Sequence, residues 1–241
     1  NVTLSPLYFA ICFLILLKSL AGWEYLSTIF ISFNIPLMYF SIKNNWNKKL
    51  IIERIIKINS YALLGFILSL FSYLAQKTAL LGSVNNALKA FAQIVLKRTH
   101  GNPADLPSKY KASLESDILS VLKKYFNGDA IYISDYMTIK FHHIILLFSI
   151  VSIFYVSIPL FKNLEKDKKT TALIISSWLS ILAPISWHVL AKGHSYLHGH
   201  MNHVLWHVPF TFLAFASVAY IIRKYCFHNP QKGYKNNIFK S

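Results

Sequence analysis

The sequence predicts an all-α fold: a polytopic transmembrane bundle of about six helices, with amphipathic helices in one long connection. Three observations predict it. Hydrophobic residues make up 54% of the 241 residues and charged residues only 14%, against about 25% in soluble proteins. Apolar segments close to the ~20 residues that a membrane helix needs recur along the chain. Lysines and arginines collect between these segments, as they do in membrane proteins.

Six apolar segments can be drawn, and none shows the strict alternation of a barrel strand. They are roughly 4–17, 25–42, 58–75, 141–161, 171–191 and 204–222. Pro36 and Pro184 fall inside two of them, which membrane helices tolerate. The chain begins with Asn1 almost directly before an apolar segment. We therefore expect residues 1–241 to be a single membrane domain that lacks its N-terminal part.

The charges between the segments predict the orientation. Three connections are basic: 43–57, 162–169 and the tail after residue 222. The short connections at 18–24 and 192–203 hold one lysine each. The positive-inside rule places the basic set in the cytoplasm, together with the C-terminus and the N-terminal end of the fragment. The net charge of +16 is then a topology signal, and we expect the lipid bilayer as a partner and no nucleic acid.

The long connection 76–140 is predicted to be extracytoplasmic and to contain two amphipathic helices. The apolar face of the first consists of Leu81, Val84, Leu88, Phe91 and Val95 at helical spacing. The apolar face of the second consists of Leu114, Ile118, Val121, Leu122 and Tyr125. Gly128 is the expected C-cap of the second helix. Such helices would lie along the membrane surface or pack on the end of the bundle.

The stretch 187–210 holds six of the ten histidines, and it links the last two apolar segments. One hypothesis is a metal site for Zn or Fe, with His194, His198, His200 and His203 as ligands. No Asp or Glu lies close enough in sequence to orient these imidazoles, which weakens the hypothesis. A site without a cofactor is therefore the preferred interpretation.

The second hypothesis for this stretch is recognition of an anionic headgroup. The expected ligands are Lys192, His194, His198 and His200, joined by Lys97 and Arg98 from the end of the first amphipathic helix. The third is structural: Trp187, Tyr196 and Trp206 frame the stretch like an interfacial aromatic belt. For His188, His203 and His207 we expect a packing role.

Three stretches of the chain carry a family resemblance: KSLAGWEYLSTI, VLKRTHGNPADLPSKYKASLESDILSVLKKYF and LAKGHSYLHGHMNHVLW. Over about residues 10–215 they resemble the C-terminal part of bacterial multi-pass glycosyltransferases of the GT-C-like type. That resemblance implies transfer of a sugar from a polyprenyl-phosphate carrier on the extracytoplasmic face. It also implies a catalytic carboxylate in the first extracytoplasmic loop, which we expect upstream of this fragment.

Glu24 is the candidate catalytic carboxylate that the chain itself offers. It follows Gly22 and Trp23 at the predicted outer mouth of a helix, where it could act as a general base or complement the dipole of the next helix. The leading functional hypothesis is thus a transferase that uses a lipid-linked sugar donor. The alternatives are a histidine-ligated membrane metalloenzyme and a non-enzymatic transporter or assembly subunit for envelope polymers.

Overall fold

The computed structural model describes residues 4–162, 167–199 and 204–227. Its elements in chain order are α1 (Ser5–Ala21), α2 (Leu26–Lys43), α3 (Lys48–Leu81), α4 (Val84–Arg98), α5 (Lys111–Glu115), α6 (Ile118–Phe126), β1 (Asp129–Ser134), β2 (Met137–Lys140), α7 (Phe141–Lys162), α8 (Lys168–Ser180), α9 (Leu182–Leu190), α10 (Lys192–Leu197), α11 (Val204–Trp206) and α12 (Phe212–Cys226). The segment His207–Thr211 joins α11 to α12 through a kink at Val208, whose backbone is extended (φ −119°, ψ 114°).

The six predicted apolar segments all fall on helices of the described chain. Within the described ranges, four helical stretches are long and apolar enough to cross a membrane: Leu26–Lys43, Lys48–Leu81, Lys168–Leu190 and Val204–Tyr225. Shorter apolar helices occupy Ser5–Ala21 and Phe141–Ser157. The mostly helical, multi-span architecture is therefore confirmed at this level, and the four candidate spans indicate a membrane location.

The all-α prediction is wrong in one place, because β1 and β2 form an antiparallel hairpin before α7. Asp129 pairs with Lys140 and Tyr132 with Thr138. The hairpin interior is rich in Ile, Tyr and Thr, residue types that favour strands. Tyr136 stands fully exposed at the hairpin tip.

The helices of the long connection begin and end differently from the prediction. Leu81 belongs to α3, because Gly82 ends that helix in the left-handed conformation at φ 67°. The second amphipathic segment is two helices, since Asp117 caps α6 by accepting a hydrogen bond from Ser120 N at 2.7 Å. Its C-cap is Asn127 in place of Gly128. Of its predicted apolar face, Leu114, Val121 and Tyr125 are buried as expected.

Two apolar clusters hold the bundle together. One joins α1, α2 and α3, and the other joins α6, α7, α8 and α12. Gly65 lets α1 and α3 approach closely, because a side chain there would meet the backbone of Cys12. Small residues serve this purpose between membrane helices, where close packing replaces the hydrophobic effect. Thr28 links α2 to α9 by donating to Ala183 O at 2.9 Å.

Three connections lie together at one end of the bundle: the α1–α2 turn, the α4–α6 region and α10. Tyr125 OH donates to Ser195 O at 2.7 Å, and Gly193 N donates to Thr99 O at 3.3 Å. Residues that are far apart in sequence thereby reach one site. Glu24 of the α1–α2 turn belongs to it through Arg98, which lies 74 positions later in the chain.

Candidate functional site

An ion pair between Glu24 and Arg98 marks this end of the bundle. Arg98 Nη1 donates to Glu24 Oε1 at 2.7 Å across 74 positions of sequence. The side chains are 30% and 33% exposed, respectively. Arg98 is the last residue of α4, and Glu24 lies in the turn between α1 and α2. The structure therefore joins two residues that the sequence offered separately, one as a base and one as an anion ligand.

The environment keeps Glu24 ionised at neutral pH. Burial raises the pKa of this carboxyl. Hydrogen bonds from its own backbone N–H and from Arg98, together with the charge of Arg98, lower the pKa by more than burial raises it. The pKa of Glu24 is thus below its usual value. A carboxylate held ionised beside a guanidinium can accept a proton or orient the donor groups of the guanidinium.

A cavity of about 540 Å³ opens beside the ion pair, between the end of α1, the C-terminal third of α3 and α4. Its polar and aromatic walls include Ser19, Trp23, Ser69, Tyr73 and Gln76. The volume lies within the range of small-molecule sites. Of these wall residues, only Trp23 stands out in the sequence, as the neighbour of Glu24. Ser19, Ser69, Tyr73 and Gln76 are single polar or aromatic residues in or beside apolar segments, which carry no signal of a site.

Trp23 is held in a fixed position by other rings. Its ring centroid lies 4.6 Å from that of Tyr73 and 5.2 Å from that of Phe91, both in edge-to-face geometry. Such arrangements are preferred by the quadrupoles of aromatic rings. Tyr25, two residues later, takes the left-handed conformation at φ 67°. A non-glycine residue in this conformation is strained, and such strain collects at functional sites.

His194 and His198 lie on the other side of Tyr25. The ring centroids of the two histidines are 4.5 Å apart, and that of His194 is 6.3 Å from the Tyr25 ring. His194 is 8% exposed, and its Nδ1 has no hydrogen-bond partner within the described ranges. Burial, with the nearby positive charge of Arg98, lowers its pKa to about 4. His194 is therefore neutral at pH 7.

The other predicted anion ligands make structural contacts. Lys192 is buried and donates from Nζ to Leu114 O at 2.6 Å, which ties α10 to α5. Lys97 lies beside the Tyr110 ring, with Nζ 5.8 Å from its centroid. His200 falls outside the described residues, and so its predicted role as a ligand stays a prediction.

The metal hypothesis gains no ligand set from the part of the chain that is described. Within it, no three His, Cys, Asp or Glu residues lie close enough to hold a metal ion. His194 and His198 are adjacent, but the other two proposed ligands, His200 and His203, lie outside the described residues. The hypothesis of a Zn or Fe site therefore remains a prediction.

His188 takes the packing role expected for it. It is fully buried, and its ring stacks on Tyr125 with centroids 3.9 Å apart. Trp206 Nε1 donates to its Nε2 at 3.0 Å, and its Nδ1 lies 3.0 Å from Ser195 Oγ. Because an indole N–H can only donate, Nε2 is the acceptor and Nδ1 carries the proton that is donated to Ser195.

His207 also packs as expected, with its ring centroid 5.2 Å from that of Phe141 and 6.4 Å from that of Phe212. The packing role expected for His203 concerns a residue outside the described ranges.

Comparison with known proteins adds no relative. No protein-family model matches the chain, and no curated protein or solved structure shows significant similarity to it.

Proposed function

We propose that this chain is a membrane-embedded transferase that moves a sugar from a polyprenyl-phosphate-linked donor at the extracytoplasmic face. One observation carries the proposal: the Glu24–Arg98 pair lies at the mouth of a sizeable cavity at the end of an apolar helix bundle. A donor with a long apolar chain and a polar head needs this combination. Its chain would stay in the bilayer while its head enters the cavity.

The two charged groups suit the two halves of the reaction. The new bond forms between the acceptor oxygen and the anomeric carbon, and the bond from that carbon to the phosphate oxygen breaks. The acceptor hydroxyl would lose its proton to the Glu24 carboxylate, acting as a general base. Polyprenyl phosphate would leave with the bonding electron pair, and Arg98 would stabilise its negative charge. The guanidinium has five N–H donors, and one of them donates to Glu24.

The distribution of charge supports the extracytoplasmic placement. Basic connections alternate along the chain with the connections that form the cavity end. The basic ones are 43–57, 162–169 and the tail. The positive-inside rule assigns the basic end to the cytoplasm. The cavity end would then face outward.

The test uses the protein in lipid nanodiscs with radiolabelled hexose linked to polyprenyl phosphate. Removing a general base commonly lowers a rate by about 100-fold or more, so we expect such a loss in Glu24→Gln. Arg98→Ala should weaken donor binding as well. The matched control is Glu53→Gln, whose side chain pairs with Lys57 on the exposed surface of α3. Wild-type transfer in Glu24→Gln would refute the proposal.

Two measurements on the same samples separate the alternatives. Stoichiometric Zn or Fe that is lost in His198→Ala would favour the metalloenzyme. Donor binding without transfer to any acceptor would favour a transporter or assembly subunit. Transfer that survives a chelator and depends on Glu24 would favour the transferase over both.

A further inference from the structure

Two residues that line the cavity carry hydroxyl groups with no hydrogen-bond partner among the described residues. Ser19 Oγ, from the end of α1, and Tyr73 OH, from α3, are buried and make no hydrogen bond to any described residue. Ser19 is 3% exposed. Both residues line the cavity beside the ion pair. Buried polar groups are normally paired, because leaving one unpaired costs its full desolvation. Two such groups on one cavity wall indicate a ligand that pairs with them.

Other polar groups of the same wall show that the unpaired hydroxyls are exceptional. Ser69 also lines the cavity, but its hydroxyl donates to Phe66 O at 2.7 Å. Most serines of the helices bond in this way to a carbonyl one turn earlier, as Ser72 does to Leu68 O at 3.0 Å. Ser19 could make the same kind of bond within α1 and does not. Its oxygen is thus left without a hydrogen-bond partner among the described residues, on a helix end that borders the cavity.

The charge of the wall defines the chemistry of that molecule. Ser19, Trp23, Tyr73 and Gln76 are neutral, and the charged groups beside them already have partners: Arg98 is paired with Glu24, and Lys18 Nζ donates to Gly22 O at 2.7 Å. This wall therefore suits a neutral group that both donates and accepts hydrogen bonds. Trp23 adds an aromatic surface to the same wall, with its ring centroid 4.6 Å from that of Tyr73. Hydroxyls and an amide next to an indole complement a ring that has polar edges and apolar faces, which is the surface of a pyranose.

We propose that this cavity is a hexose subsite, in which Ser19 and Tyr73 hydrogen-bond to sugar hydroxyls and Trp23 packs against the sugar ring. This hexose subsite rests on the proposed function in one respect: only if the chain is the transferase is the bound sugar a reactant. It assigns the phosphate to Arg98, at the mouth, and the sugar to the neutral wall behind it. Ser19 and Tyr73 are binding residues and take no part in proton transfer.

The experiment measures binding of methyl glycosides to the protein in nanodiscs by saturation-transfer difference NMR. The probes are the methyl α- and β-pyranosides of glucose, mannose and galactose, with inorganic phosphate as a separate competitor. We expect at least one glycoside to bind and each of Ser19→Ala and Tyr73→Phe to weaken it about three- to tenfold, as for loss of one hydrogen bond. The matched controls, Ser72→Ala and Tyr61→Phe on α3, should bind as the wild type does.

The outcomes separate this inference from the proposed function. If no glycoside binds, or if both variants bind like the wild type, the hexose subsite is refuted. Displacement of the glycoside by inorganic phosphate at equal concentration would also refute it, because it would show an anion site. If glycoside binding depends on Ser19 and Tyr73 but no donor is turned over, the hexose subsite is supported and the transferase function is refuted. The two substitutions lie on different helices, so a folding defect in one leaves the other as a test.

Discussion

Gly65 offers a direct test of the packing that shapes the cavity. It lies buried on α3, and a β-carbon there would fall inside van der Waals contact with Cys12 O and 3.1 Å from Leu16 N. These are backbone atoms of α1, so no side-chain rotation can relieve the contact. In Gly65→Ala, α1 and α3 must therefore move apart.

The expected loss of stability follows from two opposing effects. Overpacking of a tight contact costs about 1–3 kcal/mol, and the better helix propensity of alanine returns up to about 1 kcal/mol. Because the contact is with backbone atoms, the upper end of that cost applies, and we expect Gly65→Ala to be destabilised by about 2 kcal/mol and Gly65→Val by more. Because α1 carries Ser19 and α3 carries Tyr73, the separation should also weaken glycoside binding.

The assay is thermal unfolding in detergent, in a Cys226→Ser background, followed by a thiol-reactive dye that then reports the exposure of Cys12 at the same contact. A domain of this size shifts its Tm by about 2–4 °C per kcal/mol. The control is Gly199→Ala, where a β-carbon would meet only the flexible side chain of Lys124. A Tm for Gly65→Ala equal to or above that of the wild type would refute the packing argument.

Three further predictions concern the same end of the bundle. The pKa of His194 is about 4 in the folded protein and 6.5 when unperturbed, so between these pH values the unfolded state binds one more proton. The Tm should therefore fall as the pH drops from about 6.5 towards 4. If the pH profile of the Tm is the same in His194→Gln, this prediction is contradicted. Lys192→Met should cost about 1–3 kcal/mol, because Leu114 O loses its buried ammonium donor; a Tm within error of the wild type would count against that role. In a background without native cysteines, Tyr136→Cys should react with a membrane-impermeant maleimide in intact cells and Asn45→Cys only after permeabilisation, and the reverse pattern would invert the topology.

The positions of the membrane helices could be predicted because they depend on local composition. A run of about twenty apolar residues must form a helix in lipid, where every backbone group needs an internal partner. The segments 25–42 and 204–222 accordingly fall within helical stretches of the structure. The hairpin at 129–140 was missed because two short strands carry only a weak pattern beside the strong helical signals around them.

Only part of the candidate site could be predicted, because its geometry depends on contacts between distant parts of the chain. Glu24 and Arg98 were each singled out by type and position, but their pairing depends on how α4 folds back onto the α1–α2 turn. Nothing local encodes a contact across 74 positions. Ser19 and Tyr73 could not be found at all, because a serine or tyrosine at the end of an apolar helix is ordinary. Only the absence of a bonding partner among the described residues distinguishes them.

The unbroken length of α3 has a consequence for how the protein would respond to its membrane. Its 34 residues, at about 1.5 Å each, make a rod of roughly 51 Å, well beyond the ~30 Å of a hydrocarbon core. The excess must be taken up by tilt or by projection past the bilayer surface. Because Tyr73 and the basic first turns at Lys48 and Lys49 belong to the same rigid rod, any change of tilt at one surface displaces the cavity wall at the other. Bilayer thickness would then determine the width of the cavity. Glycoside affinity should therefore vary with the acyl-chain length of the nanodisc lipids.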